Sequence, residues 1–307
     1  MQDPHVDVAM FAIYAMYDRE NVDRLIDAYF DGKCPDETRI KIYCYIAVCG
    51  LLWSNWCEYK HQLGADFGTY AAGQYRYAEE YSLIAGDVMK QVKRAVIMAS
   101  GFGSRMRPLT LTTPKPLVRV NGVAMIETVI DGLTENGITE IHVVTGYLAE
   151  KFEYLKELGI DLIYNPYYET VNNISSLYVA RDYLEDAIII DGDQVILDSS
   201  VLSPWFERSG YNSVYVEDGT DEWLQQVDSD GTVVSCSRTG GKSGWQLYGI
   251  SRWTKEDARQ LKADLEFEFE VRRNFQAYWD DVAMFCHPEH YRLGIFPMRP
   301  GAVTEID

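Results

Sequence analysis

The amino-acid sequence predicts an α/β protein: a Rossmann-like mixed, mainly parallel sheet with helices on both faces, preceded by a small all-helical segment. Three observations lead to this prediction. Apolar residues recur at helical spacing up to about residue 90, short apolar runs alternate with amphipathic stretches after residue 93, and a glycine-rich loop directly follows the first of those runs. We therefore divide the chain into a helical segment, residues 1–88, and an α/β domain, residues 93–307.

The first segment contains three stretches of helical character. One has an apolar face formed by Val22, Leu25, Ile26 and Tyr29. A second begins after Pro35 and extends to about residue 63, and a third covers about residues 70–84. Gly86 and the polar residues after it indicate a linker. The most apolar run, residues 42–53, is shorter than the roughly 20 residues that a membrane span requires, so it predicts a buried helix.

Strands and helices alternate from residue 94 onward. Short apolar runs typical of buried parallel strands lie at residues 95–98, 141–144, 161–164 and 187–190. Residues 126–133 show one helical face, which Gly137 ends, and residues 175–184 predict another helix. After about residue 213, shorter strands are separated by turn signals at 228–231 and 240–244. The alternation favours a parallel sheet, and the later half is expected to shape a second-substrate site.

The charge and the cysteines of the chain restrict its partners and its location. A net charge of −19 over 307 residues argues against nucleic acid as a partner, because phosphate-binding surfaces need clustered Lys and Arg. None of the six cysteines lies in a CxxC pair, so zinc is not expected. No secretory signal opens the chain, and a cytoplasmic protein with reduced thiols is predicted. A nucleoside triphosphate could bind only where basic residues and a divalent cation invert the local field.

The loop after residues 95–98 carries residues that suit a nucleotide's phosphates. It reads Ala99-Ser100-Gly101-Phe102-Gly103-Ser104-Arg105, and Thr113-Pro114-Lys115-Pro116 follows downstream. Glycines let backbone N–H groups approach phosphate oxygens, while Arg105 and Lys115 supply positive charge. A Walker loop is excluded because Gly-Lys-Ser/Thr is absent, and a dinucleotide fingerprint because Met106 stands in place of its third glycine. The whole string resembles the signature of the sugar-phosphate nucleotidyltransferase superfamily, whose fold is the nucleotide-diphospho-sugar transferase type.

Two carboxylates follow the apolar run at residues 187–190. Asp191 and Asp193 are separated by one glycine, at the carboxyl end of a predicted central strand, where open α/β sheets bind their ligands. Mg²⁺ is commonly held by one or two carboxylates together with substrate phosphates. The resemblance to the superfamily implies that the second of the two, Asp193, is the metal ligand.

Further stretches resemble those of bacterial CTP:phosphocholine cytidylyltransferases over about 210 residues. They are Thr145-Gly146-Tyr147-Leu148, Asn172-Asn173, Ser176-Leu177-Tyr178, Asp221-Glu222-Trp223, Tyr278-Trp279-Asp280 and Glu305-Ile306-Asp307. The resemblance implies an Mg²⁺-dependent enzyme that uses CTP and phosphocholine. A trimethylammonium cation cannot donate hydrogen bonds, so aromatic faces and nearby carboxylates are the groups that would hold it.

The resemblance also implies a set of site residues. Nucleotide contacts are expected from Ala99, Ser100, Gly101, Gly103, Ser104, Arg105, Gly146, Tyr147, Asn172 and Asn173. Choline contacts are expected from Trp223, Tyr278, Trp279, Asp280 and Glu305, metal ligation from Asp193 and Asp307, and catalysis from Lys115 and Arg105. The chain ends at Asp307, whereas the family continues into a further helical segment, so ligation by Asp307 is the least secure of these assignments.

The helical segment resembles the C-terminal part of a choline-kinase-like phosphotransferase. The similar stretches are residues 7–14 and residues 50–60. In that family the catalytic aspartate and the ATP-binding lobe lie upstream of this part. The resemblance therefore implies a segment without kinase activity, and an unrelated helical appendage for packing or dimerisation is the alternative.

Several alternatives stay open at the level of sequence. 2-Aminoethylphosphonate is a second candidate acceptor, although its primary ammonium needs hydrogen-bond acceptors more than aromatic faces. A sugar 1-phosphate is a weaker one, because sugar hydroxyls need more Asn, Gln and Asp. The sequence does not separate CTP from UTP, a non-catalytic nucleotide- or choline-binding scaffold is the alternative of another class, and a homodimer is possible.

Overall fold

The computed structural model of the chain describes residues 3–88 and 90–306. For residues 36, 37 and 86–88 it describes the backbone alone. Asp307, one of the two expected metal ligands, lies outside the described residues. The chain divides into two compact units, Met1–Met89 and Lys90–Asp307, and each is described by itself.

The first unit is built from helices. They are α1 His5–Tyr14, α2 Arg19–Tyr29, α3 Asp36–Gln62 and α4 Tyr70–Val88. Helix α2 begins where the Asp18 side chain accepts a hydrogen bond from the Asn21 backbone N–H, which satisfies one of the free donors of the first turn. Val22 and Ile26 of its apolar face are fully buried in a core shared with α1, α3 and α4.

Helix α3 has the bounds that the sequence predicts, but it is less buried than its apolar run indicates. By length and composition alone, its stretch Thr38–Gln62 is long and apolar enough to cross a membrane. Within an apolar run of 18 residues in this stretch, 33% is buried. Ile42 and Ile46 are fully buried in the core of the unit, whereas Leu51 and Leu52 are 44% and 61% exposed. The prediction of a buried helix therefore holds for one face of α3.

The second unit is an α/β fold. Its helices are α5 Met125–Glu135, α6 Ile174–Val179 and α7 Lys255–Glu266. Its strands are β1 Lys90–Gln91, β2 Arg94–Ala99, β3 Arg119–Val120, β4 Val123–Ala124, β5 Glu140–Thr145, β6 Asp161–Tyr164, β7 Ala187–Asp191, β8 Gln194–Ile196, β9 Trp205–Phe206, β10 Gly210–Val216, β11 Leu224–Val227, β12 Val233–Ser237, β13 Gly244–Trp253, β14 Gly294–Pro297 and β15 Val303–Glu305.

The central sheet is mixed. Strands β7, β2, β5 and β6 run parallel in that order. The long strand β13 pairs antiparallel with β7 on one side and with β11 on the other, and β12 follows β11 at the edge of the sheet. Strand β10 pairs antiparallel with β13 and parallel with β14. Residues 188–190 are fully buried, as expected for a central strand covered on both faces.

Three local predictions differ from the structure. Gly86 lies inside α4 instead of starting a linker. Helix α6 ends at Val179, where the Arg181 guanidinium donates to the Tyr178 carbonyl oxygen at 2.8 Å, and Arg181–Tyr183 continue as a 3₁₀ helix. Helix α7 was not predicted, although Thr254 caps its first turn and its buried residues have helical spacing.

Candidate active site

A cavity of about 790 Å³ opens where β2 and β7 end. The glycine-rich loop, the turn after β7, the segment before α6 and the segment around residue 278 all contribute to its wall. The carboxyl edge of a parallel sheet is where such folds bind ligands, because the loops that follow neighbouring strands converge there.

The glycine-rich loop and Lys115 are packed directly against each other. Gly103 has a φ of +59°, and a Cβ added to it would lie 2.8 Å from the Lys115 Cβ and 3.0 Å from the Thr110 Cγ2. The Thr110 hydroxyl donates to the Gly103 carbonyl at 2.8 Å. Only glycine meets both the left-handed backbone and the close approach, so residue 103 lets the loop fold over the lysine.

Lys115 forms an ion pair with the expected metal ligand. Its Nζ lies 2.9 Å from Asp193 Oδ2, and Lys115 is 6% exposed. Arg105 is exposed at the rim of the same cavity. The structure thus brings the two expected catalytic cations and the carboxylate together, with the lysine held at a polar wall from which water is largely excluded.

Strand pairing brings the end of the chain to the same site. After β7 the chain turns through Gly192, whose N–H donates to the Met98 carbonyl at 2.9 Å, and enters β8. Strand β15 pairs antiparallel with β8 and places Glu305 opposite Gln194. Glu305 therefore lines the same cavity as Asp193, the expected metal ligand, although it lies more than 100 positions downstream.

Carboxylates crowd the floor of the cavity. Burial raises the pKa of Asp191 well above its usual range, and the neighbouring charges of Asp280, Asp193 and Glu305 raise it further, whereas a hydrogen bond from the Trp279 indole lowers it. Burial likewise raises the pKa of Asp280, and the adjacent Tyr211 hydroxyl opposes that shift. Crowded, partly desolvated carboxylates gain most from a cation that binds among them.

The donor set therefore fits a divalent cation. Hard oxygen ligands are what Mg²⁺ prefers, and it commonly keeps substrate oxygens and waters beside one or two carboxylates. Asp193, Glu305 and Asp280 all line the cavity. The residues present match the group that the sequence predicts.

Two of the expected choline residues form an aromatic corner in the cavity wall. The rings of Trp223 and Tyr278 meet edge to face with centroids 5.9 Å apart. Phe285 meets Trp223 edge to face at 5.4 Å, and the Arg238 guanidinium lies 5.7 Å from the Trp223 ring centroid. Tyr278 is 48% exposed, so its ring faces accessible space. Asp280, also expected at the choline, lines the cavity nearby.

Trp279 has a different position from the one its resemblance implies. It is 1% exposed and does not line the cavity. Its ring stacks on Tyr211 with centroids 5.8 Å apart, and its indole N–H donates to Asp191 Oδ1 at 3.2 Å. Trp279 therefore supports the buried carboxylate of Asp191, and the accessible aromatic ring in this segment is that of Tyr278.

The two asparagines expected at the nucleotide hold the cavity wall together. Asn172 donates from its side chain to the Gln276 carbonyl at 2.9 Å, and Asn173 Oδ1 accepts from the Trp279 backbone N–H at 2.9 Å. Both residues line the cavity. Their side chains connect the segment before α6 to the segment that carries Tyr278. The resemblance implies nucleotide contacts for both residues, whereas these hydrogen bonds are made within the protein.

Gly146 and Tyr147 lie behind the glycine-rich loop. They do not line the cavity. A Cβ on Gly146 would lie 2.9 Å from the Ser100 carbonyl oxygen, and the Tyr147 N–H donates to that oxygen at 3.0 Å. These residues therefore support the backbone of the loop at Ser100. The other residues expected at the nucleotide, Ala99, Ser100, Gly101, Gly103, Ser104 and Arg105, line the cavity.

Some residues that build the site were not singled out from the sequence. Asn165 is fully buried and hydrogen-bonds three serines at the cavity, and Gly249 lies beside Asp191. Asn165 directly follows β6 just as Ser100 follows β2. Polar residues at the carboxyl end of each predicted strand were the signal that could have found it. Gly249 has no such signal, because its place depends on strand pairing.

Comparisons with known proteins give one consistent result. The model of the MobA-like NTP transferase domain matches residues 95–265. The 2-aminoethylphosphonate cytidylyltransferase of Lancefieldella rimae is 39% identical over 217 residues, which cover 69% of this chain and 87% of that protein. The choline-phosphate cytidylyltransferase of Streptococcus pneumoniae is 37% identical over 190 residues, which cover 62% of this chain and 82% of that protein.

Solved structures agree with the sequence matches. The CTP:phosphocholine cytidylyltransferase from Streptococcus pneumoniae has a TM-score of 0.64 and 33% sequence identity, covering 69% of this chain and 92% of that chain. The inositol-1-phosphate CTP transferase from T. maritima has a TM-score of 0.58 at 19% identity, covering 71% and 91%. The second likeness is one of fold alone.

We expect Gly249→Ala to displace the Asp191 carboxylate, because the added Cβ would lie 2.1 Å from its Oδ2. The hydrogen bond from the Trp279 indole should then weaken, and the indole N–H resonance of Trp279 should shift in a proton–nitrogen NMR spectrum. Trp279→Phe assigns the resonance, and the N–H signal of the exposed Trp205 is the internal control. An unchanged Trp279 signal in a folded variant contradicts the contact.

Proposed function

Because the chain belongs to the MobA-like NTP transferase family and is a nucleotidyltransferase, we propose that it transfers CMP from CTP to phosphocholine, giving CDP-choline and pyrophosphate. In this proposal the fold, the glycine-rich loop and the Lys115–Asp193 pair serve the transfer of the nucleotidyl group. The choice of acceptor rests on the other end of the cavity, where the charges and the aromatic rings differ from those at the loop.

The charge balance of the cavity is the observation that carries the proposal. Among the described residues, its carboxylates are Glu169, Asp191, Asp193, Glu222, Asp280 and Glu305, whereas its cationic side chains are Arg105 and Lys115. A triphosphate and a phosphorylated acceptor would add further negative charge. Two positive partners resolve this conflict: a divalent cation among the carboxylates, and an acceptor that carries its own cation.

The aromatic corner supports a quaternary ammonium as that cation. A trimethylammonium group has no N–H to donate, and it is stabilised by the electron-rich faces of aromatic rings and by carboxylates nearby. Trp223 and Tyr278 offer the rings, and Asp280 lines the same cavity. The choline-phosphate cytidylyltransferase relative at 37% identity supports the same acceptor.

The chemistry we propose is a direct displacement. A phosphate oxygen of phosphocholine attacks the α-phosphorus of CTP, a new P–O bond forms, and the bond between the α-phosphorus and the bridging oxygen breaks to release pyrophosphate. The attacking phosphate is already an anion near neutral pH, so the protein contributes positioning and charge stabilisation. Lys115 and Arg105 would neutralise the negative charge that develops on the triphosphate.

We propose Mg²⁺ as the cofactor, held by Asp193. Glu305, which the resemblance assigns to the choline, lines the same cavity, and we propose it as a support for the metal instead. Bound there, the ion would neutralise phosphate oxygens of the two substrates. Asp307 remains a predicted ligand outside the described residues. Because Lys115 Nζ lies 2.9 Å from Asp193, the lysine holds this carboxylate in place and keeps its own charge at the cavity wall.

A second acceptor, 2-aminoethylphosphonate, is favoured by two observations. The relative at 39% identity is named for it, and carboxylates such as Asp280 and Glu222 line the cavity, where they could accept hydrogen bonds from a primary ammonium. A primary ammonium would gain less from the aromatic corner. Phosphocholine is therefore the preferred acceptor if the aromatic rings contribute most to binding, and 2-aminoethylphosphonate is preferred if the carboxylates do.

For the helical unit we propose a kinase-like origin without kinase activity. The stretch at residues 50–60 lies in α3, where Gly50 allows α4 to pack closely: a Cβ there would lie 2.7 Å from the Gln74 carbonyl. The unit should transfer no phosphate from ATP to choline in a coupled ADP assay. The cytoplasmic location and the possible homodimer stay predictions from the sequence.

Pyrophosphate release in the presence of Mg²⁺ and CTP tests the proposal. We expect release with phosphocholine and slower release with 2-aminoethylphosphonate or glucose 1-phosphate, because only phosphocholine carries a cation suited to aromatic faces. Trp223→Ala should raise the KM for phosphocholine roughly 2- to 30-fold, the equivalent of one lost cation–π contact. Equal KM values for the variant and the parent protein would remove the aromatic corner from acceptor binding.

The matched control for that variant is Trp205→Ala. Trp205 lies in β9 of the same unit, is 47% exposed and does not line the cavity, so its loss should leave the KM for phosphocholine unchanged. If the protein turned over 2-aminoethylphosphonate faster than phosphocholine, the nucleotide-site assignments would stand and the proposed acceptor would be wrong.

Lys115→Ala should lower kcat by about 10²- to 10³-fold, the cost of removing one preorganised positive or hydrogen-bonding group at developing charge. The measurement is pyrophosphate release at saturating substrates, with circular dichroism to verify folding. Lys156→Ala, which removes an exposed lysine paired with Glu153, is the control. Parent-like turnover by the Lys115 variant would exclude the lysine from the mechanism.

A further inference from the structure

A fully buried asparagine organises three hydroxyl groups at the cavity. Asn165 follows β6 and is 0% exposed. Its Oδ1 accepts from the Tyr167 backbone N–H at 2.9 Å, which fixes the orientation of the amide and directs its two N–H donors to the other side. They point to Ser175 Oγ at 2.9 Å, Ser176 Oγ at 3.3 Å and Ser100 Oγ at 3.4 Å.

The hydroxyl protons can be counted. Ser175 Oγ donates to the Asn172 carbonyl at 2.8 Å, so its proton is used. Ser100 Oγ and Ser176 Oγ lie 2.5 Å apart, and one proton suffices for the bond between them. Asn165 uses one amide N–H for Ser175, and its second N–H is shared between Ser176 Oγ at 3.3 Å and Ser100 Oγ at 3.4 Å. One hydroxyl proton of the pair is left, and no acceptor within residues 3–88 and 90–306 binds it.

The remaining proton belongs to a pair that lines the cavity. Ser100 and Ser176 are 6% and 1% exposed, and both contribute to the wall. A buried hydroxyl seeks an acceptor, because an unused donor away from water is costly. A ligand in the cavity can supply that acceptor.

The neighbours of the pair indicate which part of a nucleotide would do so. Phe102 and Tyr168 line the cavity next to the loop, with ring centroids 5.4 Å apart, and the Cβ of Ser100 and the Cβ of Tyr168 both lie within 2.9 Å of where a Cβ of Gly146 would be. Flat apolar rings suit a nucleoside. The triphosphate has its own cationic partners, Lys115 and Arg105.

We propose that the Ser100–Ser176 pair donates one hydrogen bond to an acceptor oxygen on the nucleoside of the bound CTP, and that Asn165 is the positioning residue that leaves this donor available. The inference rests on the proposed function for the identity of the nucleotide. The acceptor is a pyrimidine carbonyl oxygen or a ribose hydroxyl, which share the chemistry of a neutral oxygen acceptor.

Ser176→Ala should raise the KM for CTP roughly 3- to 10-fold, as expected for one neutral hydrogen bond, with kcat and the KM for the acceptor unchanged. Asn165→Asp should have a similar effect, because a carboxylate without N–H donors attracts both serine protons and consumes the spare one. The double variant should lose no more than either single variant, since both remove the same donor.

Deoxynucleotides separate the two sources of the acceptor. A Ser176→Ala penalty that disappears with 2′-deoxy- or 3′-deoxy-CTP assigns the bond to the ribose, and a penalty that persists with both assigns it to the base. Ser209→Ala is the matched control. It removes a buried hydroxyl of the same unit, which accepts from the Thr254 N–H at 2.9 Å and lies outside the cavity lining, so it should lower stability and leave the KM for CTP unchanged.

Direct CTP binding keeps this inference separate from the proposed function. Calorimetry with CTP and Mg²⁺ requires no acceptor, so the Kd ratios of the variants can be measured even where no acceptor gives turnover. Parent-like Kd and KM values for CTP in folded Ser176→Ala and Asn165→Asp proteins would overturn the proposal, as would an increase shared equally by Ser209→Ala.

Discussion

The crowding of carboxylates at the end of one buried strand is the constraint on which the site depends. Asp191 ends β7 in the interior, where burial and neighbouring negative charges raise its pKa. Such an arrangement is stable only where cations and hydrogen-bond donors balance it. Lys115 supplies the cation at Asp193, and Trp279 supplies the donor at Asp191. Both partners are buried, so their positions are held by packing.

These contacts link the site to the fold. The glycine at position 103 lets the loop approach Lys115, and the one at position 249 leaves room for the Asp191 carboxylate. Strand β15 brings Glu305 to β8. Asn173 holds the segment that carries the aromatic corner. A cavity that must accept two anionic substrates is therefore built from four separate parts of the chain, each held by a contact that can be removed singly.

The cavity has three chemically different surfaces: a cationic one, an aromatic one and one with neutral hydroxyl donors. Lys115 and Arg105 are cationic and follow the glycine-rich loop, the aromatic corner faces the expected ammonium, and the hydroxyls organised by Asn165 are neutral donors. In the proposed reaction, each surface would bind a part of the substrates with complementary chemistry. This division would let a strongly acidic protein bind nucleotide phosphates, because Lys115 and Arg105 line the cavity beside the glycine-rich loop.

The sequence by itself determined the fold class, the four parallel strands of the central sheet and the glycine-rich loop, because each is a local pattern of spacing and glycine, whereas the role expected of Asp193 came from the family resemblance. Helix α7 was missed although its pattern was present, α1 was not predicted, and the predicted continuation of α6 is a 3₁₀ helix at Arg181–Tyr183. Only the tertiary structure decided that Trp279 supports Asp191 and that Asn165 binds three serines. Those contacts join residues distant in the chain, so no local pattern encodes them.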